Sequence, residues 1–169
     1  MIIRKEETKD YTKVYDLIKE AFSTAEHADG NEQDLVVQLR KSIAFIPELS
    51  LVAVAGNILI GHILFTKATI GKKTVLALAP LSVKSDYQKQ GVGTKLIETG
   101  HEIARQMGYD YAIVVGSEQY YPKFGYITAD HFCIEILDGI PKENFMAIKL
   151  NPNAEPIQGN MIYPKEFGI

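Results

Sequence analysis

Gln88-Lys89-Gln90-Gly91-Val92-Gly93-Thr94-Lys95 decides the reading of this chain, because it separates an apolar run from its most strongly patterned helix. Past Gly93, residues Leu96, Ile97, Gly100, Ile103, Ala104 and Met107 line one helical face. Lys95, Glu98, Glu102 and Arg105 line the other, and Gly108 supplies the stop. A helix start leaves its first N–H groups unpaired and carries partial positive charge. Glycines, lacking Cβ, let those donors close around phosphate oxygens, so a pyrophosphate is the natural guest. Lys89 and Lys95 add charge nearby and Thr94 a hydroxyl. The P-loop pattern fails here, since Thr94 separates Gly93 from Lys95. The Rossmann fingerprint fails too, since Leu96 stands where its third glycine belongs. A plainer alternative stays open, in which Gly91 and Gly93 serve only a tight turn.

Outward from this segment, Tyr111 to Val115 reads as a compact buried strand. Leu76 to Val115 then forms one strand-helix-strand unit with a parallel crossover. Upstream, Leu51 to Ala55, Ile58 to Ile70 and Thr74 to Val83 are β-rich runs, broken by Gly56-Asn57 and Gly71-Lys72-Lys73 as in antiparallel hairpins. Pro80 cannot donate to a ladder, which predicts a bulge or a splayed strand end. Ile2 to Lys5 is a further strand. Val14, Leu17, Ile18, Ala21 and Phe22 recur at helical spacing behind Asp10, a potential cap, and Leu35, Val36 and Leu39 form a second helix opened by Asn31 and Glu32. Ser23 to Gly30 between them is loop. The expected fold is α/β, a central twisted mixed sheet flanked by helices. One domain spans 1–169, with a core of about 2–150. The segment 151–169 has three prolines but also Ile157, Met161, Ile162, Tyr163 and Phe167, which should dock it on the domain or on a second subunit.

A chain of 169 residues, 46% hydrophobic and 23% charged, suits one globular core. Charge appears by Arg4, too early for a signal peptide, and no apolar run is long enough to span a bilayer, so a cytoplasmic protein without a membrane partner is expected. Cys133 is the single cysteine, and no Cys/His cluster has zinc-ligand spacing. Scattered basic residues and a net charge of −3 speak against nucleic acid and fit a cationic substrate.

With its preceding strand, Leu78 to Gly93 resembles the acetyl-CoA motif of the GNAT superfamily, Gln/Arg-x-x-Gly-x-Gly/Ala, its defined positions filled by Gln88, Gly91 and Gly93. The strand ends in the apolar-polar-apolar triplet Leu81-Ser82-Val83. A second signature resembles the family's aromatic-Tyr-x-x-x-Gly-aromatic sequence at Tyr120-Tyr121-Pro122-Lys123-Phe124-Gly125-Tyr126. The order of elements from Ile2 to roughly Leu150 agrees as well. Gly61-His62-Ile63-Leu64-Phe65 and the Tyr-Tyr pair are similar to a bacterial branch of predicted N-acetyltransferases. The resemblance implies a GNAT-like fold whose fourth and fifth strands splay, with the pantetheine arm of acetyl-CoA in the gap, paired to the main chain of Leu81, Ser82 and Val83. It implies pyrophosphate contacts from Gln88 and Lys89 through Gln90, Gly91, Val92, Gly93 and Thr94. Tyr121 would protonate the departing CoA thiolate, since amine attack on a thioester places negative charge on sulfur. The alternative for Tyr121 is packing beside Tyr120 and Phe124. The chain departs from the family in having no asparagine between Val114 and Gln119.

The attacking amine must lose a proton, and Glu118, three residues before Tyr121, is the first choice of base. Glu26 and Glu32, with His27 and Asp29, border the loop between the first two helices and would face the acceptor, unless they are solvated charge. His62 reads as a hydrogen-bonded core residue, His101 as structural and Cys133 as a buried or idle thiol. The expected function is direct acetyl transfer from acetyl-CoA to a small-molecule or protein amine in a ternary complex, with a homodimer implied by resemblance. A non-catalytic acyl-CoA sensor and a mononucleotide-binding regulator are the alternatives.

Overall fold

Three long strands, β2 (Phe45–Ala55), β3 (Ile58–Ile70) and β4 (Lys73–Val83), return on one another through the two-residue turns Gly56-Asn57 and Gly71-Lys72. The first residue of each turn has a positive φ, 61° at Gly56 and 59° at Gly71, which only glycine adopts without penalty. The structure, a computed structural model, describes residues 1–24 and 29–169. Around the three strands the sheet extends to eight among the described residues. β1 (Ile2–Lys5) flanks β2, and β5 (Tyr111–Val115) runs parallel to β4. β7 (Phe145–Lys149) lies antiparallel to β5, β6 (Ile127–Thr128) forms the far edge, and β8 (Met161–Ile162) pairs with the end of β3.

Helix α3 (Val92–Gln106) covers one face of this sheet. Leu96 and Ile97 bury themselves against Ile63, Phe65, Leu76, Leu78 and Val114. Close approach requires Gly100, where any side chain would run into the ring of Phe65. On the opposite face, α1 (Tyr11–Phe22) and α2 (Glu32–Leu39) bury Val14, Leu17, Ile18, Val36 and Leu39 over Val52 and Leu64. Farther along that face the C-terminal segment lays Ala154, Ile157 and Met161 over Ala68, Ile70, Val75, Tyr111 and Ile113, with β8 adding ladder bonds.

Several local expectations are corrected. β2 begins at Phe45, six residues before Leu51, and passes Pro47 through an irregularity in its pairing between Phe45 and Ser50. Asp10 does not cap α1 with its side chain. Its carboxylate accepts two bonds from Arg4 at 2.7 and 2.9 Å and one from the Glu7 N–H at 2.8 Å, closing the 3-10 turn before the helix. Met107 lies just past the end of α3 and is 42% exposed, and of the two readings of Cys133 the buried one falls, since the residue is exposed. At Pro80 two residues of β4, Ala79 and Pro80, oppose one of β3, Leu64, since Phe65 pairs with Leu78 but Ile63 with Leu81. This is a bulge.

Candidate active site

β4 and β5 pair only at Leu76–Ala112 and Ala77–Ile113. Beyond these, β4 continues with β3 to Val83 and β5 with β7 to Val115, so the two strands part and leave a wedge lined by main chain. The bulge at Pro80 stands where the separation begins. At the open end of the wedge, the Gln88 side chain donates to the Val83 carbonyl at 3.2 Å and Gln90 donates to the Asp86 carbonyl at 3.0 Å. Both side chains therefore brace the loop that leads to α3.

That loop turns through two left-handed residues, Lys89 (φ 62°) and Gly91 (φ 86°). A lysine in this region costs about 1–2 kcal/mol, strain of the kind stored where main-chain groups are aimed at a ligand. No sequence signal marks it. The Gly91 carbonyl accepts the first helical bond, from Lys95 at 3.0 Å, whereas the amides of Gln90, Gly91, Val92, Gly93 and Thr94 have no backbone acceptor among the described residues. A loop with left-handed residues at its turn and free amides at a helix start suits an anion. Lys89 and Gln90 are exposed beside it.

Two tyrosines of the second motif close on this wedge from the one-turn helix Tyr121–Phe124. A side chain at Gly93 would meet the Tyr120 hydroxyl, and one at Gly116 would meet the Tyr121 ring. Tyr120 thus reaches the start of α3 while Tyr121 lies across the end of β5. The rings pack edge to face, 5.1 Å between Tyr120 and Tyr121 and 5.7 Å between Tyr121 and Tyr126. Tyr126 is fully buried and its hydroxyl is bonded to His101 Nε2 at 2.9 Å, fixing the pair on which Tyr121 rests. Burial, and secondarily Tyr120, hold the Tyr121 phenol above its ordinary range, so it carries its proton at neutral pH.

Glu118 is exposed on the turn before that helix, where its carboxylate accepts from Asn144 Nδ2 at 2.7 Å. Asn144 also donates to the Gly116 carbonyl at 3.0 Å, bringing an asparagine beside the β5 end from 28 residues downstream, a distance no local motif reveals. Glu32 opens α2, and its Oε1 accepts from the Gly30 amide at 3.2 Å. Glu26 and His27 lie outside the described residues. An open cavity of about 620 Å³ lies elsewhere, between Lys41–Ala44 and Ile162–Glu166, and no motif residue lines it. Among the described residues no His, Cys, Asp and Glu are grouped to hold a metal.

Comparison with known proteins agrees with this architecture. Residues 11–126 match the model of the Acetyltransferase (GNAT) family. The uncharacterized N-acetyltransferase YjhQ of Escherichia coli strain K12 is 42% identical over 99 residues, 56% of this chain, and the match spans 55% of YjhQ, about half its length. A GNAT family acetyltransferase from Brucella melitensis, solved with acetyl-CoA, superposes with a TM-score of 0.82 at 28% identity over 98% of this chain and 97% of its own. The GNAT family N-acetyltransferase YhbS of E. coli, solved with CoA, shares the fold at a TM-score of 0.89 and 24% identity, over 99% of this chain and 92% of its own. The chain belongs to the GNAT acetyltransferase family.

Proposed function

We propose that this protein is an acetyl-CoA-dependent N-acetyltransferase, moving the acetyl group directly from the thioester to a small-molecule or protein amine in a ternary complex. The observation that carries the reading is the run of unengaged amides from Gln90 to Thr94, set at the mouth of a wedge whose wall is main chain. These amides fit a pyrophosphate, and the Leu81 to Val83 edge fits an extended amide-bearing arm. Acetyl-CoA, when bound, supplies an activated acyl carbon and a thiol leaving group. Tyr121, kept protonated by its surroundings, donates to the sulfur as negative charge develops there. Glu118 offers an exposed carboxylate at the rim and Glu32 a carboxylate beside the α1–α2 connection, suited to a cationic acceptor. The same reading sets the protein in the cytoplasm as a homodimer. No described helix is long and apolar enough to cross a membrane.

Replacing Tyr121 by Phe removes the proton donor but leaves the amides in place. Turnover, followed as thiol release with an amine panel, should fall on the order of 10²- to 10⁴-fold. The CoA-induced rise in melting temperature should stay, because ligand bound only by the folded state stabilises it by about 2.7 kcal/mol at a hundredfold excess over Kd. A sensor would show that rise with no turnover in either protein. A mononucleotide-binding regulator would respond to ATP or GTP and not to CoA.

A further inference from the structure

The two glycines before and within the first turn of α3 are needed for different reasons. Gly91 has a φ of 86° and open space where a Cβ would stand, so its conformation alone calls for glycine. Gly93 is ordinary helical backbone on the buried side of that turn, and what it lacks is room. A Cβ there would run into the Tyr120 hydroxyl, while Tyr120 Cζ and Val83 Cγ2, at 3.6 and 3.8 Å, lie at ordinary contact distance. The second glycine is thus a socket for the tip of one tyrosine, and a single oxygen atom sets its size.

The Tyr120 ring is held without help from that oxygen. It packs edge to face on Tyr121, 5.1 Å away, and against Phe124 at 5.1 Å, and Lys123 Nζ stands 4.7 Å from its centroid. Among the described residues no hydrogen bond engages the hydroxyl, and Tyr120 is only partly buried. Burial holds its phenol above the ordinary value of 10.0, so at neutral pH it is a donor and not a phenolate that would repel an anion. The amides of Val92, Gly93 and Thr94, which open the same turn, have no backbone acceptor among the described residues either. A phenol O–H and these N–H groups are then all donors gathered at one place, with no acceptor between them.

We infer that Tyr120 is a binding residue for the cofactor, its O–H donating to an oxygen of the phosphate that joins the pantetheine arm to the rest of CoA. The inference rests on the acetyl-CoA reading and adds a side-chain donor to a cradle otherwise made of main chain. Lys123, over the ring face, draws electron density from the phenol and strengthens it as a donor. Adjacent in sequence, the two tyrosines serve different parts of one ligand, Tyr121 the sulfur and Tyr120 the phosphate. It also gives the second glycine a meaning of its own. The Gly93 socket lets the hydroxyl come down onto the helix start, where the phosphate is held.

The test compares the full-length protein with Tyr120→Phe, Gly93→Ala and the double variant. Tyr120→Phe keeps the ring and its packing, so its melting temperature without ligand should match the parent. Its Kd for CoA, measured by calorimetry, should rise about tenfold, the size of one hydrogen bond to a charged group. The same loss should appear with 4′-phosphopantetheine, measured by displacement of CoA, and vanish with pantetheine, which carries no phosphate. Unchanged affinity for CoA overturns the inference, and so does an equal loss with pantetheine, which would place the hydroxyl on the amide arm. Gly93→Ala gives a readout that needs no ligand. Its methyl forces Tyr120 aside and should lower the melting temperature, but by less in the Tyr120→Phe background, where only the contacts at 3.6 and 3.8 Å remain. Additive losses would mean that the hydroxyl does not fill the socket, and would overturn the inference as well. If the parent protein binds neither CoA nor 4′-phosphopantetheine, the acetyl-CoA reading itself falls; if the parent binds CoA and Tyr120→Phe binds it equally well, only the Tyr120 contact falls.

Discussion

The two faces of the sheet bury a histidine each, and they treat it differently. Under α3, His101 meets Tyr126 and the aromatic rings of Phe65 and Tyr126 in an otherwise apolar cluster. Under α1 and α2, His62 backs onto a buried Glu6–Arg40 pair and leaves Nδ1 without a partner among the described residues. Burial depresses both rings from 6.5 to about 4. Arg105 adds to the effect at His101, while Glu6 partly opposes it at His62. The same downward shift thus arises from burial on either face, in an aromatic setting at His101 and beside an ion pair at His62.

Breaking the charged side of this contrast should have the largest effect. Arg40→Ala strands a carboxylate that is 2% exposed, and urea unfolding should show a loss of about 3–5 kcal/mol. A smaller effect comes from acid. Both folded histidines have values below the unfolded one, so the unfolded chain binds protons that the folded chain refuses between pH 6.5 and about 4. Stability should be intact above 6.5 and fall by about 1.4 kcal/mol per pH unit for each histidine through that window, and His101→Gln should halve the histidine part of the slope. Asp10 and Asp110 are held below the ordinary carboxylate range by Arg4 and Lys73. They act in the same sense, but only as pH falls below about 4. The smallest effect sharpens the contrast from the other side. Thr66→Val replaces an unpartnered hydroxyl with a methyl of the same shape, and its unfolding free energy should change by less than about 1 kcal/mol, in the stabilising direction.

The fold was legible where information is local. The hairpins at Gly56-Asn57 and Gly71-Lys72, the stripe of α3 and the parallel return to Tyr111 all follow from residues a few positions apart. The tight turn into α3 was legible for the same reason, although Lys89, which no propensity would place in the left-handed region, was not. What stayed hidden depends on pairs distant in the chain. Glu6 finds Arg40 across 34 residues, and Gly116 finds Asn144 across 28. Asp10 looked like a cap until Arg4 drew its carboxylate away. The pairing of His62 with Ser82 was the least visible, because a serine in an apolar triplet and a lone histidine in a strand become neighbours only through register.

That register rests on one surplus residue in β4. Below Pro80 the even-numbered side chains, Leu76 and Leu78, look toward α3; above it Leu81 does, and even-numbered Ser82 looks the other way. A strand of uninterrupted parity would have turned the Ser82 hydroxyl into the greasy side and sent Leu81 toward His62. The proline thus acts as a half-step in the wiring of the strand, letting a single run of chain show hydrocarbon to α3 along its length while the Ser82 side chain turns to the other side, opposite His62.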